Sequence, residues 1–228
     1  MSGLGTPRLH LRETTSTNDR ARALAAAGAP HGTLVTAAAQ TSGRGRQGRT
    51  WSAPPGRALL MSVVLRDPRR LLPLAAALGI ADAAGPRAQI KWPNDVLLDG
   101  RKVAGVLVEG RPQEGWAIVG MGVNAALDLS ALPEELRDRA GTLGLRPRDL
   151  PRALARLLEA LEARLAEPPA ATLAALRERD ALAGRQVRWE GGSGTAAGIA
   201  ADGALLVRLD DGTEVSLAAG EVHLDASP

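Results

Sequence analysis

Five short segments hold the residue types from which an anion-handling site could be built. The first is Gly43-Arg44-Gly45-Arg46-Gln47-Gly48-Arg49-Thr50-Trp51. Its arginines repel one another, and its glycines make the backbone costly to order. An anion would settle such a segment. Glycine lets backbone N–H groups come close, and the guanidinium fork matches carboxylate or phosphate. Trp51 adds a flat face for a base. The second segment is Lys91-Trp92-Pro93-Asn94-Asp95. Pro93 sets an extended turn and fixes where its neighbours point. Lys91 offers a compact charge, while Asn94 and Asp95 suit a nucleotide or a metal-bound phosphate. Asn-Asp after Pro is also ordinary turn chemistry, but that explains neither Lys91 nor Trp92. Lys102 opens a third segment that runs to Glu109, in which Gly105 signals a close approach to the strand backbone. Asn124 closes the fourth, Gly120-Met121-Gly122-Val123-Asn124, where two glycines leave room against a strand. Ser16-Thr17-Asn18 is the fifth and offers helix-capping chemistry.

Composition sharpens these choices. Lys91 and Lys102 are the only lysines among 28 basic residues, and Asn18, Asn94 and Asn124 are the only asparagines. A chain that otherwise uses arginine keeps lysine where a guanidinium cannot substitute. Two familiar phosphate-binding patterns fail. The loop matches G-x-G-x-x-G, but Pro54-Pro55 forbid the helix that this fingerprint must open. Gly120-x-Gly122-x-x-Ala125 runs quickly into Pro133 without a βαβ unit, and neither lysine precedes Ser or Thr as a P-loop requires.

The elements that must hold these segments follow from periodicity. Residues 8–13 alternate as a short strand, and Ser16 to Asn18 lead into an Ala-rich helix over 19–27. Strands are expected at 33–39 and 58–66, with irregular chain over 41–57 between them. A helix over 68–83 follows, then a strand at 88–92 and a hairpin of 95–98 with 102–109 around Asp99-Gly100. Residues 115–124 form a further strand. Leu150, Ala153, Leu154, Leu157, Leu158, Leu161 and Leu165 keep a helical stripe, and a last helix covers 170–182. Beyond Gly184 the runs 186–190, 195–200, 204–209 and 213–217 are separated by Gly-Gly and Asp-Gly pairs, predicting a small β-barrel or ribbon. The expected domains are 1–183 and 184–228.

Bulk properties limit the function classes. The chain has 228 residues, which suits one substantial α/β domain plus a small module. A net charge of +3 does not demand a nucleic-acid partner. No cysteine means no disulfide, thiolate metal site or cysteine nucleophile. No apolar window reaches membrane-span length, and the start lacks the apolar core of a secretory signal, so a soluble cytoplasmic enzyme is expected.

Taken in order, STN at 16–18, QTSGRGRQGRTW at 40–51, KWPND at 91–95, KVAGVLVE at 102–109 and GMGVN at 120–124 resemble the biotin–protein ligases, in the monofunctional class without a DNA-binding domain. The resemblance covers about residues 8–225. It implies an α/β (α+β) fold: a mixed-sheet, class II synthetase-like ligase domain followed by a small SH3-like β-barrel. It implies that biotin and ATP with Mg²⁺ form biotinyl-5'-AMP, which biotinylates a lysine on the carrier domain of a biotin-dependent carboxylase. No DNA or membrane partner is implied, and an exposed sheet edge would allow a homodimer.

By motif position, Ser16, Thr17, Asn18 and Gln40 would surround the biotin ring. Gly43, Arg44, Gly45 and Arg46 would close over biotin and the adenylate phosphate. Arg46, Arg49 and Trp51 would serve the nucleotide, Trp51 by stacking on adenine. Lys91, Asn94 and Asp95 would face ATP and its magnesium, which binds through the phosphates with Asp95 as the candidate protein contact. Lys102 would touch the biotin carboxylate and the phosphoryl oxygens, Gly105 and Val106 would line the biotin site, and Asn124 would sit near adenine or ribose. Lys102, Arg44 and Lys91 would be catalytic. Ala125-Ala126 replace the Asn-containing tail common in the family, and the lack of Phe and Tyr removes its aromatic walls. The rival readings are a lipoate–protein ligase of the same fold and a nucleic-acid-binding module. The first lacks support from the intact GRGRQGRTW and KWPND segments, the second from the charge balance and the scarcity of aromatic stacking residues.

Overall fold

The computed structural model describes residues 3–224, so residues 1–2 and 225–228 of the two expected domains lie outside it. The chain begins with strand β1 (Arg8–Thr14), helix α1 (Thr17–Ala26) and strands β2 (Leu34–Gln40) and β3 (Leu59–Arg66). Helix α2 (Leu72–Ala84) leads to β4 (Ala88–Lys91), β5 (Asp95–Leu98), β6 (Arg101–Arg111) and β7 (Trp116–Val123). Together these strands form one sheet in the order β1-β2-β3-β7-β6-β5-β4. The β1–β2 pair is parallel and the other pairs are antiparallel. A short α3 (Glu134–Arg137) precedes α4 (Leu150–Ala166) and α5 (Pro169–Arg179). Strands β8 (Gln186–Trp189), β9 (Gly192–Ile199), β10 (Leu205–Arg208), β11 (Glu214–Leu217) and β12 (His223–Leu224) build a second, antiparallel sheet. The α/β class with a mixed main sheet and an appended β-unit is the one the sequence implied.

Strand alternation decides which face does what. On β3, Leu59, Met61, Val63 and Leu65 join the main core with α2 and α4, as do Ala117, Val119, Met121 and Val123 on β7. Val64, Trp116 and Ile118 point the other way and pack on Ala21 and Ala25 of α1. Continuing along that second face of β7, Gly120 and Gly122 carry no side chain. The sheet is therefore covered by α1 at one end and bare at the other, and the bare end becomes the floor of a cleft.

Beneath the sheet, α2 and α4 come close enough for backbone contact. A Cβ built on Gly79 of α2 would lie 2.8 Å from Leu161 Cα. Asp82 then ties three helices: Arg164 of α4 donates to it at 2.6 and 3.2 Å and Arg179 of α5 at 3.1 Å. The main core continues through Leu182, Val187, Leu205 and Val207 into the second sheet. Trp92 Nε1 donates to Gly203 O across this junction at 2.9 Å.

Several elements differ from expectation. Helix α2 starts at Leu72 because Asp67 and Leu71 turn with φ of 52° and 64°. Helix α5 stops at Arg179, since Ala181 N donates to Ile90 O and Asp180 accepts from Leu182 N, turning the chain out of the helix. Strand β9 begins earlier than expected, because Gly192 and Gly194 pair with β8. The strand expected over 8–13 is present, one residue longer, with neither face fully buried. β1 is an edge strand with Leu9 37% exposed.

Gly79→Ala should lower stability by about 1–3 kcal/mol, because a methyl against helix backbone forces α2 and α4 apart and outweighs the gain in helix propensity. Urea unfolding measures it, and an unchanged midpoint would exclude the close approach.

Candidate active site

The floor of the cleft is a block of cross-strand rows on β3, β7 and β6. Leu60, Gly122 and Gly105 form one row, and Ser62, Gly120 and Leu107 the next. Val64, Ile118 and Glu109 form the third. Two side chains lie down on the glycines. A Cβ at Gly122 would come within 2.4 Å of the Trp51 ring, and one at Gly120 within 2.1 Å of Asn18 Oδ1. One face of the Trp51 ring is thus taken by the sheet, leaving the opposite face as the stacking surface.

A β-bulge sets the cationic end. Val96 pairs with Ala104 but Leu97 pairs with Lys102, so Val103 is an extra residue on β6. Val103 and Ala104 are both fully buried, and the phase shift brings Lys102 onto the same face as Gly105. Lys102 Nζ lies 2.7 Å from Asp95 Oδ1 and 5.6 Å from the centre of the Trp51 ring. Its backbone is held on both sides, donating to Arg139 O and accepting from Gly141 N, each at 2.8 Å. Asn94 braces the same region: its Nδ2 donates to Val106 O and its carbonyl accepts from Val106 N, both at 2.9 Å. Burial pushes the Lys91 ammonium below its ordinary range, against the pull of Asp95 and Glu221 and with repulsion from Lys102 and Arg49.

The arginine loop folds over this end as a small hairpin. Trp51 N donates to Gly43 O at 2.9 Å, Gly45 N to Arg49 O at 2.7 Å, and Arg44 bridges Thr50. The tip turns at Gln47 and Gly48 with φ of 53° and 73°. Arg49 pairs with Glu221, and Arg46 reaches Gly220 O at 3.4 Å, so the segment before β12 walls the cleft. Arg44 reaches the other way, to Asp19 at 2.7 Å and Glu109 at 2.9 Å.

The opposite end is a chain of uncharged polar groups. Thr17 donates from N and Oγ1 to Gln40 Oε1 at 2.7 and 3.1 Å. The fully buried Ser62 hydroxyl is shared between Thr17 Oγ1 at 2.8 Å and Asn18 Oδ1 at 2.6 Å. Asn18 Nδ2 donates to Glu109 at 2.7 Å. Two N–H donors, Arg44 Nε and Trp51 Nε1, are buried without a hydrogen-bond partner among the described residues. Buried donors are normally satisfied, so these two are the exceptions within the site.

One cleft thus gathers Ser16, Thr17, Asn18 and Gln40 with Arg44, Gly45, Arg46, Arg49 and Trp51. Lys91, Asn94, Asp95, Lys102, Gly105 and Val106 line it as well. Gly43 is set back, where a Cβ would strike Trp51 O at 2.3 Å and Gln40 Nε2 at 2.6 Å. Asn124 is behind the wall, donating from N to Val103 O at 2.7 Å and from Nδ2 to Lys102 O at 3.4 Å. Sequence reasoning missed Ser62, Asp19, Arg22 and Glu221 and left Glu109 without a role. Ser62 carried no motif signal. Glu109 sat at the end of a recognised segment, and its even spacing from Gly105 and Leu107, which puts the three on one strand face, was the available hint.

Comparison with known proteins agrees with this arrangement. Residues 11–125 match the biotin/lipoate A/B protein ligase family, and residues 183–225 match the biotin protein ligase C terminal domain. A biotin--[acetyl-CoA-carboxylase] ligase of Mycobacterium tuberculosis is 36% identical over 93% of this chain and 87% of its own. The bifunctional ligase/repressor BirA of Bacillus subtilis is 40% identical over 57% of this chain, which spans only 43% of that relative's length. A biotin protein ligase from Aquifex aeolicus, solved in complex with biotin and ATP, superposes with a TM-score of 0.79 at 29% identity, covering 97% of this chain and 100% of that one.

Gly122→Ala should displace the Trp51 ring while the sheet remains intact, since its φ is not in the left-handed region. The ATP KM should rise about tenfold, the size expected for losing a base-stacking face, and displacing the ring should lower the unfolding free energy by about 1–3 kcal/mol without unfolding the sheet. An unaltered ATP KM would remove Trp51 from the nucleotide site.

Proposed function

We propose that this chain, which belongs to the biotin/lipoate A/B protein ligase family, makes biotinyl-5'-AMP from biotin and ATP and passes the biotinyl group to a lysine on a carrier protein. The carrying observation is that all five motif segments line one cleft, with uncharged polar groups at one end and the lysines at the other. The uncharged end suits the cyclic urea of biotin, which offers two N–H donors and one carbonyl. Lys102 and Lys91 suit the meeting of a carboxylate with a triphosphate.

In the first step a biotin carboxylate oxygen bonds to the α-phosphorus of ATP as the bond to pyrophosphate breaks. Two anions must meet, so positioned cations lower the barrier by stabilising charge on the phosphorane and the leaving group. Lys102 is aimed into the cleft by the bulge and serves both the carboxylate and the phosphoryl oxygens. Lys91 and Arg46 serve the phosphates, and Trp51 offers its free face to adenine. Arg44 holds the loop over the mixed anhydride and keeps water out. In the second step the carrier lysine amine attacks the acyl carbon and AMP leaves.

No group of three or more His, Cys, Asp or Glu converges to hold a metal ion among the described residues. The two carboxylates lining the cleft, Asp95 and Glu221, each face a cation. This donor set fits a magnesium ion that arrives on the ATP phosphates, with Asp95 as its protein contact. When bound it would neutralise phosphate charge.

The domains assigned are 1–183 for activation and 184–228 as a C-terminal module that walls the nucleotide end. The carrier is the biotin-bearing domain of a biotin-dependent carboxylase. No helix among the described residues is long and apolar enough to cross a membrane. A cytoplasmic location, no role for DNA and pairing of two copies through the exposed edge of β1 complete the reading. They are supported by the absence of cysteine, the small net charge and the exposure of Leu9.

Pyrophosphate release and mass gain on a carrier domain should depend on biotin and not on lipoate. Lipoate-dependent release, or salt-sensitive nucleic-acid binding without release, would replace this reading. Lys102→Ala should lower the rate of adenylate formation by at least about 10²-fold with unchanged folding; wild-type turnover would dismiss its role. Lys91 with its lowered pKa becomes neutral at lower pH than a free lysine. ATP affinity should therefore be present below that pKa and fall as pH rises through it, and Lys91→Arg should abolish this alkaline limb. A pH profile of kcat/KM for ATP that is the same in both proteins would refute the assignment.

A further inference from the structure

The polar contacts of the cleft converge on one carboxylate that the catalytic reading does not use. Glu109 lies on β6 opposite Ile118, one row beyond Leu107. Its Oε2 accepts from Asn18 Nδ2 at 2.7 Å and from Arg44 Nη2 at 2.9 Å, and its Oε1 accepts from Arg22 at 2.6 Å. Asp19 meets the same two arginines, Arg44 at 2.7 Å and Arg22 at 3.7 Å. Two acids and two bases thus close a neutral ring that joins α1, the arginine loop and β6.

Resting on the biotin-ligase reading, we propose that Glu109 is a positioning residue that sets selectivity for biotin by orienting the Asn18 amide and anchoring Arg44. A carboxylate only accepts hydrogen bonds. Asn18 must therefore turn its NH₂ towards Glu109, and its Oδ1 faces the Ser62 hydroxyl at 2.6 Å. Leu107 O accepts from the same Nδ2 at 3.4 Å and biases the amide the same way, but the 2.7 Å charge-assisted bond to Glu109 is the stronger hold. Held by Glu109, the amide gives the uncharged end of the cleft one polarity. That matters for a cyclic urea, because a site built to pair particular N–H and C=O groups rejects ligands that leave them unpaired. The same carboxylate oxygen holds Arg44, so the first limb of the loop rests on the ring end. Arg46 and Arg49 reach the opposite way, to Gly220 and Glu221. The nucleotide end therefore has its own anchor, and Glu109 acts on the end of the cleft that holds the biotin ring, free or in the adenylate.

Glu109→Gln in the full chain keeps the size of the side chain but removes the charge and the fixed polarity. The KM for biotin should rise about tenfold and preformed biotinyl-adenylate should be released faster by a similar factor, while the KM for ATP stays within about twofold. Glu109→Asp keeps an acceptor-only group at shorter reach and should recover part of the loss, leaving the biotin KM about threefold raised. A purely structural ion pair would lower the melting temperature without separating the two KM values. If Glu109→Gln does not fold, Glu109→Asp carries the same readout. A biotin KM at the wild-type value, or equal changes for both substrates, overturns the proposal. A wild-type enzyme that releases no pyrophosphate with biotin overturns the functional reading and this inference with it; an active wild type matched by the variant overturns this inference alone.

Discussion

The site depends on two side chains reaching the backbone in the middle of a sheet. Trp51 and Asn18 lie where Cβ atoms of Gly122 and Gly120 would be, at distances no side chain tolerates. Sheet interiors usually carry a side chain at every position on both faces, because bare backbone forfeits packing. Here the forfeited packing is returned by residues from α1 and the arginine loop. The floor therefore fixes the height of both walls. It also explains how β7 serves two purposes: Trp116 and Ile118 seat α1, and further along the same face Gly120 and Gly122 carry no side chain and leave room for Asn18 and Trp51.

Charge is arranged on the same principle of provisional partners. Lys102 rests on Asp95, Arg49 on Glu221, and Arg44 on Asp19 and Glu109. A cleft holding this many cations would repel itself apart without internal acids. Each acid belongs to a different element: β5, the segment before β12, α1 and β6. The cation cluster thereby ties the second sheet and the helix to the loop. Burial pushes both Lys91 and Arg46 below their ordinary ranges, as expected for cations held without a full set of anionic partners.

Much of the fold was legible because apolar periodicity survives in a chain rich in Ala, Leu and Arg. The stripe through Leu154, Leu157 and Leu161 placed α4, and Asp99-Gly100 placed the β5–β6 hairpin. The reading failed where local preference met long-range contact. The strand expected over 8–13 formed as β1, but its place at the sheet edge, with a neighbour on one side only and little packed on it, could not be read locally. The start of α2 was misjudged because Asp67 and Leu71 adopt backbone angles that neither residue type advertises.

For the site, the residue types already pointed to anion handling: retained lysines, a glycine-spaced arginine loop, one tryptophan beside it and glycines alternating on a strand. Those choices are local, and sequence displays them directly. What the tertiary structure decided was pairing. The bulge at Val103 turns Lys102 into the cleft, a phase shift visible only once β5 and β6 are in register. Asn124, expected at the nucleotide, instead supports the strand behind Lys102. Ser62, Glu109 and Glu221 entered the site only because folding brings them to residues between 44 and 172 positions away. A hydrogen bond or ion pair at such separation leaves no periodic trace in the chain, since it is set by the register of distant strands and not by any neighbour in sequence.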